Sequence, residues 1–297
     1  MIWVTWRQHR AQAIACLVVF CVLAVFALIV GTWMRTRFTS DGIPACLARS
    51  GGTGCPADIT SFVNQFNHGL SQIISVPLLA IPGLLGIVVG APLLGGELER
   101  GTWRLAWTQT VPRSRWLAAK LGLVTGGLIA FGIAVTALMS WFRVPLDEVT
   151  SRLQPGLSSP EGLTFTASLL CAFGLAVLAG LLLRNTVGAM VAGYFAFDVP
   201  FLVNTLATGP LHLLTATTTV NCAGTACAAA STNSTPPVTG HLGDMVTGVT
   251  HAGQQLVVSY VPASDFWPLQ FITGGIYLAF AVTAIGTAVW LLHRRTT

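Results

Sequence analysis

Five long, mainly apolar stretches of this chain contain no Asp, Glu, Lys or Arg, and each is long enough to cross a membrane. An α-helix needs about 20 apolar residues to span the hydrocarbon layer, and only a helix satisfies its own backbone there over such a length. A sixth apolar stretch, 186–207, is interrupted by Asp198 alone. The charge-free stretches are residues 11–34, 69–96, 121–142, 162–183 and 266–292. The sequence therefore predicts an all-α membrane protein with six transmembrane helices.

The composition excludes a soluble domain. Only 8% of the 297 residues are charged, 53% are hydrophobic, and the mean hydropathy is +0.72. A soluble domain carries about 25% charged residues. The net charge of +5 comes with no strip of basic and aromatic residues, so nucleic acid is not an expected partner. We expect one transmembrane domain over residues 1–297, with spans at about 11–34, 72–95, 117–141, 162–183, 186–207 and 267–292 and a large external loop at 208–265.

The distribution of Lys and Arg predicts the orientation. With a cytoplasmic N-terminus, 10 of the 15 basic residues fall inside and 5 fall outside. Cytoplasmic loops carry the excess of Lys and Arg, and six spans return the C-terminus to the same side. The predicted topology is therefore N-in and C-in.

Four cysteines fall in loops that this topology places outside: Cys46, Cys55, Cys222 and Cys227. An even number of cysteines in an oxidising compartment favours disulfides. The short gaps along the chain favour Cys46–Cys55 and Cys222–Cys227, although four cysteines allow three connectivities.

The first ten residues predict an amphipathic helix at the inner membrane surface. Trp3, Trp6 and Arg10 recur at helical spacing. Tryptophan suits headgroup depth, and arginine suits anionic lipid. A short disordered tail is the alternative interpretation.

The loop between the second and third spans, residues 95–120, has the densest charge in the chain. It holds five of the 15 basic residues, namely Arg100, Arg104, Arg113, Arg115 and Lys120. Thr102 suits the cap of a short helix, and Pro112 would end it. A short helix between two spans is suited to docking a cytoplasmic partner, whereas simple anchoring by positive charge is the alternative.

No motif for catalysis or nucleotide binding is present. The only lysine, Lys120, is not part of a G-x-x-x-x-G-K-[ST] loop, so ATP hydrolysis by that route is excluded. His241, Asp244 and His251 could ligate a metal, but loops of small residues often carry such groups, and we predict no metal site. The chain is not expected to be an enzyme or to hold a cofactor of its own.

Two spans contain features typical of a transport pathway. Asp198 is the only acid inside a predicted span, where a carboxylate costs about 2.5–3.5 kcal/mol, so a functional role or a paired one is expected. The second span contains several prolines and glycines, among them Pro82 and Gly86, and prolines kink a helix. Ordinary helix packing is the alternative there. The candidate cavity residues are Pro82, Gly86, Asp198, Phe201 and Asn204.

Small residues also recur four apart in two spans, as Gly86 with Gly90 and Gly122 with Gly126. Pairs of this kind allow helices to approach closely in membranes. Both pairs therefore predict close helix contacts.

The layout resembles the permease subunits of type-2 ABC transporters, particularly small actinobacterial exporters with the G-subfamily (type V) arrangement. The resemblance covers the six-span plan, and its specific part is confined to a few short segments. These are residues 1–10 (MIWVTWRQHR), 90–94 (GAPLL), 97–102 (ELERGT), 105–109 (LAWTQ) and 113–116 (RSRW) with Lys120.

That resemblance implies a multi-pass protein of the bacterial cell membrane. It also implies two permease chains, a homodimer, bound to two copies of a separate cytoplasmic ATPase that holds ATP and Mg²⁺. The loop after the second span would carry the coupling helix, whose residues are Glu97, Glu99, Arg100, Gly101, Thr102, Trp103 and Arg104. Residues 2–10 would be the connecting helix. Spans two and five would line the cavity, and the large outer loop would form a gate or lid.

The predicted function is that of the membrane subunit of an ATP-driven ABC exporter. Because the expected cavity walls, 74–94 and 187–206, are almost wholly apolar, the expected cargo is hydrophobic or amphipathic, such as an antibiotic, a peptide or a lipid, with a role in multidrug resistance. Two alternatives stay open. One is an ATP-independent transporter or immunity protein that uses Asp198, and the other is a scaffold that recruits a cytoplasmic partner without moving cargo.

Overall fold

Six helices of the computed structural model have the length and the apolar composition needed to cross a membrane, within the residues that the structure describes. Those residues are 2–50, 56–66, 71–100, 113–150, 162–208, 216–221, 245–252 and 255–294. The helices are α1 (Ile2–Ser40), α2 (Ile43–Ser50), α3 (Pro56–Val63), α4 (Ser71–Arg100), α5 (Arg113–Asp147), α6 (Leu163–Leu183), α7 (Thr186–Thr208) and α8 (Phe266–Arg294). The prediction of six spanning helices is confirmed, with α1, α4, α5, α6, α7 and α8 as the spans.

Helix α6 lies at the centre of the bundle. It packs against α4, α7 and α8, and also against α5. Its side chains include many small residues, and Leu169, Cys171, Phe173 and Val177 are wholly buried. Small side chains allow neighbouring helices to approach from several sides, so α6 is the helix on which the others assemble.

A second packing centre lies between α1 and α5. Met34 and Phe38 of α1 form a buried cluster with Leu146 of α5 and with Ile43 and Phe62 from the short helices that follow α1. Residues 43–50 and 56–63 thus form a helical cap over this end of the bundle.

The N-terminal segment is helical, as expected, but it is not a separate element. Helix α1 continues without a break from Ile2 to Ser40. A helix of this length is about 58 Å long, nearly twice the thickness of the hydrocarbon layer. Its first turns therefore extend beyond the membrane as a continuation of the first span.

The segment between α7 and α8 contains a small sheet that the all-helical prediction did not include. Strands β1 (Ala216–Asn221), β2 (Met245–Ala252) and β3 (Gln255–Val261) form an antiparallel sheet in the order β1-β3-β2. Val and Thr are frequent in these strands, and β-branched residues favour a pleated strand. The membrane-spanning part is helical, and the sheet belongs to the loop before α8.

Candidate coupling site

The last two turns of α4 make contact with three other helices, and the first of these contacts joins two glycines. A Cβ atom on Gly95 would lie 3.3 Å from the Cα atom of Gly180 on α6. A Cβ atom on Gly180 would lie 3.0 Å from the backbone nitrogen of Gly95 and 3.0 Å from the carbonyl oxygen of Ala91. The two backbones therefore touch at this level, which explains why both positions are glycine.

The second contact is an ion pair between α4 and α5. The Nζ atom of Lys120 lies 2.5 Å from an Oε atom of Glu97 and donates a second hydrogen bond, 3.0 Å long, to the carbonyl of Leu93. The Lys120 side chain is 3% exposed and that of Glu97 is 16% exposed. A buried lysine needs such a partner, because an uncompensated charge in this position is strongly unfavourable.

The third contact joins α4 to the start of α7. An Oε atom of Glu99 accepts hydrogen bonds from the backbone nitrogen of Thr186 (3.0 Å) and from its hydroxyl (2.9 Å). The first backbone N–H groups of a helix have no partner inside the helix, and the helix dipole favours a negative charge there. Glu99 therefore caps α7 from a neighbouring helix.

The connection between α6 and α7 is a tight hairpin. Arg184 ends α6 in the left-handed conformation, at φ 54°, and its N–H bonds to the Gly180 carbonyl. The side chain of Asn185 accepts a hydrogen bond of 3.0 Å from the backbone nitrogen of Gly188. Together Asn185 and Glu99 satisfy two of the free donors at the start of α7.

We call this arrangement the junction: Gly95, Glu97 and Glu99 on α4 with Gly180, Lys120 and Thr186 on α6, α5 and α7. It lies where α4 leaves the bundle and enters the charged loop. The charge pattern of the sequence predicted Glu97 and Glu99 as functional residues but gave no indication that α4 contacts Thr186 or Gly180 at this level. The isolated lysine near the start of an apolar span was the one signal that could have indicated the ion pair.

The predicted coupling residues divide into two groups. The structure places Glu97 and Glu99 at the junction, and Arg100 is the last residue of α4. Gly101, Thr102, Trp103 and Arg104 lie outside the described residues. A contact of this segment with an ATPase stays a prediction, and for Glu97 and Glu99 the structure adds contacts within the chain.

The five cavity candidates lie in different environments. Pro82 and Gly86 are buried, and a Cβ atom on Gly86 would lie 2.6 Å from the Leu169 carbonyl, so Gly86 faces α6. Asn204 is also buried, whereas Asp198 and Phe201 are exposed on α7. Which of these residues meets cargo stays a prediction.

The structure describes only some of the cysteine and histidine residues for which the sequence made predictions. Cys46 is disulfide-bonded, while Cys55, Cys222 and Cys227 lie outside the described residues, so the connectivity stays a prediction. His251 lies in β2, and His241 and Asp244 are outside the described part of the chain.

Comparison with known proteins identifies the family. The model of a family described as "ABC-2 membrane transporter related" matches residues 17–208. No curated protein and no solved structure matches the chain. The matched region covers most of α1 and all of α4 to α7, and so it includes every residue of the junction. It covers more than half of the 297 residues. This multi-pass membrane protein belongs to the ABC-2 membrane transporter related family, whose members are the membrane components of transporters that work with an ATPase subunit.

Proposed function

We propose that this protein is the membrane-spanning subunit of an ATP-driven exporter, and that the junction carries movement from the ATPase to the spanning helices. The observation that supports this proposal most directly is the position of the junction. A single segment of α4, residues 95–99, contacts α5, α6 and α7 immediately before the loop that would bind the ATPase. A movement of that loop would therefore reach three helices at once.

The mechanism follows from the kinds of contact in the junction. The touching backbones of Gly95 and Gly180 prevent α4 from sliding closer to α6, and the Glu97–Lys120 pair connects both ends of the cytoplasmic loop. Closure of an ATP-bound ATPase dimer on segment 97–109 would displace these helix ends as a unit. The spans around the cavity would then change from inward-facing to outward-facing, a rigid-body form of alternating access.

The proposed pathway runs along the exposed face of α7, between two copies of the chain. Among the described spans α6 is the most buried, whereas most of α7 is uncovered. Its exposed side chains are mainly large and apolar, including Val187, Val191, Phe195 and Leu202. A second copy would enclose this face, which fits a hydrophobic or amphipathic cargo such as an antibiotic, a peptide or a lipid. The outer sheet would serve as the lid.

The test uses substitutions in the proposed ATPase contact. The tagged chain is purified with its ATPase from the native host in mild detergent, and export and ATPase activity are measured after reconstitution. Glu99→Ala and Arg100→Ala are expected to reduce export and to weaken ATPase binding. Glu148→Ala, an exposed carboxylate at the end of α5 away from the junction, is the matched control and is expected to have no effect. Unchanged transport in both test variants would rule out docking at this segment.

A second candidate is an ATP-independent transporter or immunity protein, and the exposed Asp198 favours it. That function would survive without any ATPase and would depend on the carboxylate. A chain that purifies alone and whose activity disappears in Asp198→Asn with a shifted pH profile would support this candidate. Binding of a cytoplasmic partner without any transport would instead indicate a scaffold.

A further inference from the structure

Asp198 lies near the middle of a spanning helix and points out of the bundle. Helix α7 runs from Thr186 to Thr208. At 1.5 Å per residue, Asp198 is roughly 18 Å along a helix of roughly 33 Å. The residue is exposed, in contrast to the buried Asn204 on the same helix. The carboxylate is therefore available at mid-membrane depth to whatever covers this face.

No group within the described residues neutralises this carboxylate. Asp198 makes no hydrogen bond or ion pair with any residue that the structure describes, and α7 contains no Lys, Arg or His. Its neighbours one turn away on the same face are Tyr194 and Phe201, which are 54% and 37% exposed. The face thus presents one negative charge between two aromatic side chains on an otherwise apolar surface.

We propose that Asp198 recognises the positive charge of an amphipathic organic cation, the apolar part of which lies against Tyr194 and Phe201. The inference rests on the proposed function, because it names the chemical class of the exported cargo. Aromatic rings attract cations through their negative faces, and a carboxylate in an apolar site binds one strongly. Both kinds of group occur here within one turn of the helix.

Other occupants fit this face less well. A metal ion such as Ca²⁺ needs six to eight oxygen ligands, and the described residues contain no group of three His, Cys, Asp or Glu side chains that could hold a metal. Direct packing of the α7 helices of two copies would bring two carboxylates together with no basic residue, so the two helices repel each other at this depth unless a cation lies between them. An anionic cargo would be repelled, and a neutral one would leave the charge uncompensated.

The test compares two ions of opposite charge and nearly the same size and shape, tetraphenylphosphonium and tetraphenylborate. Binding of each to the complex of permease and ATPase in lipid nanodiscs is measured by equilibrium dialysis and corrected with empty nanodiscs. The cation is expected to bind at least tenfold more tightly than the anion. Equal affinities for the two ions overturn the proposal, and this comparison requires no variant to fold.

Two substitutions at Asp198 then test whether its carboxylate is the group that binds the cation. Asp198→Asn is expected to weaken tetraphenylphosphonium binding about tenfold, whereas Asp198→Glu keeps it. The control is Asp41→Asn, which removes an exposed carboxylate just after α1 and is expected to change nothing. Undiminished cation binding in Asp198→Asn overturns the proposal. A complex that couples ATP hydrolysis to export but binds both ions equally overturns only the proposal that the cargo is a cation. The absence of an ATPase partner overturns the proposed function itself.

Discussion

Glu99 at the end of α4 accepts two hydrogen bonds from Thr186, the first residue of α7. One comes from the backbone and one from the hydroxyl, so the carboxylate both caps α7 and connects it to α4. These two residues are far apart in the sequence, and nothing in either segment alone indicates that they meet. The connection gives α7, which carries Asp198, a direct link to the loop that precedes α5.

If this link transmits movement, removal of the Thr186 hydroxyl will weaken coupling more than assembly. Thr186→Val keeps the shape and the backbone donor but loses one charge-assisted hydrogen bond, a loss of about 1.5 kcal/mol. We expect fewer cargo molecules exported per ATP hydrolysed, with ATPase binding unchanged. The ratio of export to hydrolysis in proteoliposomes measures this. Thr186→Ser retains the hydroxyl and serves as the control, and an equal loss in Thr186→Ser would contradict the role of the hydrogen bond.

The buried ion pair of the junction predicts a strongly non-additive double variant. Lys120→Met removes the ammonium group that lies 2.5 Å from the Glu97 carboxylate and is expected to destabilise the protein by about 3–5 kcal/mol. Adding Glu97→Gln removes the remaining charge and should restore most of that stability. Thermal unfolding of the four proteins in the same detergent completes the cycle. A double variant as unstable as the sum of the two single variants would show that the pair contributes little.

Alanine substitutions in the two glycine pairs are expected to have opposite effects on stability. A Cβ atom on Gly86 would lie 2.6 Å from the Leu169 carbonyl, whereas no atom of the described residues lies within 4 Å of such an atom on Gly122. Gly86→Ala should therefore force α4 away from α6 and cost about 1–3 kcal/mol. Gly122→Ala should be neutral or slightly stabilising, because alanine is the better helix former. Unfolding temperatures measure both, and equal destabilisation by the two substitutions would contradict the packing described for α4.

The glycine pairs also show how far the sequence determines this fold. Charge-free length alone predicts the spans, because the bilayer imposes one length and one secondary structure on every crossing segment. The small-residue spacing is identical in α4 and α5, however, and only the three-dimensional arrangement shows that Gly86 contacts α6 while Gly122 faces outward. Spacing within a helix identifies a face but not its neighbour.

The same limit applies to the junction and to the outer sheet. The sequence indicated Glu97 and Glu99 as candidates, since charge at the end of a span is conspicuous. Their partners on α5 and α7 depend on how the helices pack, which periodicity does not determine. The three strands were not predicted because residues 208–265 were interpreted as one large external loop, although β-branched residues in short runs also favour strands.

At the opposite end of the bundle, Arg35 of α1 compensates for a proline in α5. Pro145 lies inside α5 and has no N–H, so the Trp141 carbonyl lacks its usual donor one turn later. The guanidinium of Arg35 donates a hydrogen bond to this carbonyl and another, 3.2 Å long, to the carbonyl of Gly31. It also lies 3.8 Å from the centroid of the Trp141 ring. A substituent on Gly31 would lie 3.0 Å from that ring, which explains the glycine.

This compensation predicts that the effect of losing Arg35 depends on residue 145. Arg35→Met should destabilise the protein by about 1–3 kcal/mol, because the Trp141 carbonyl then has neither a helix donor nor the guanidinium. In a Pro145→Ala background the alanine N–H can bond to that carbonyl, so the same Arg35→Met substitution should cost distinctly less. Arg35→Lys tests the geometry, since an ammonium group does not reproduce the planar contact with the ring. Unfolding measurements on the single and double variants decide whether the arginine acts through the carbonyl or through the ring. If Arg35→Met lowers the free energy of unfolding equally in both backgrounds, the arginine stabilises the contact of α1 with α5 through the Trp141 ring, and not through the carbonyl that Pro145 leaves without a donor.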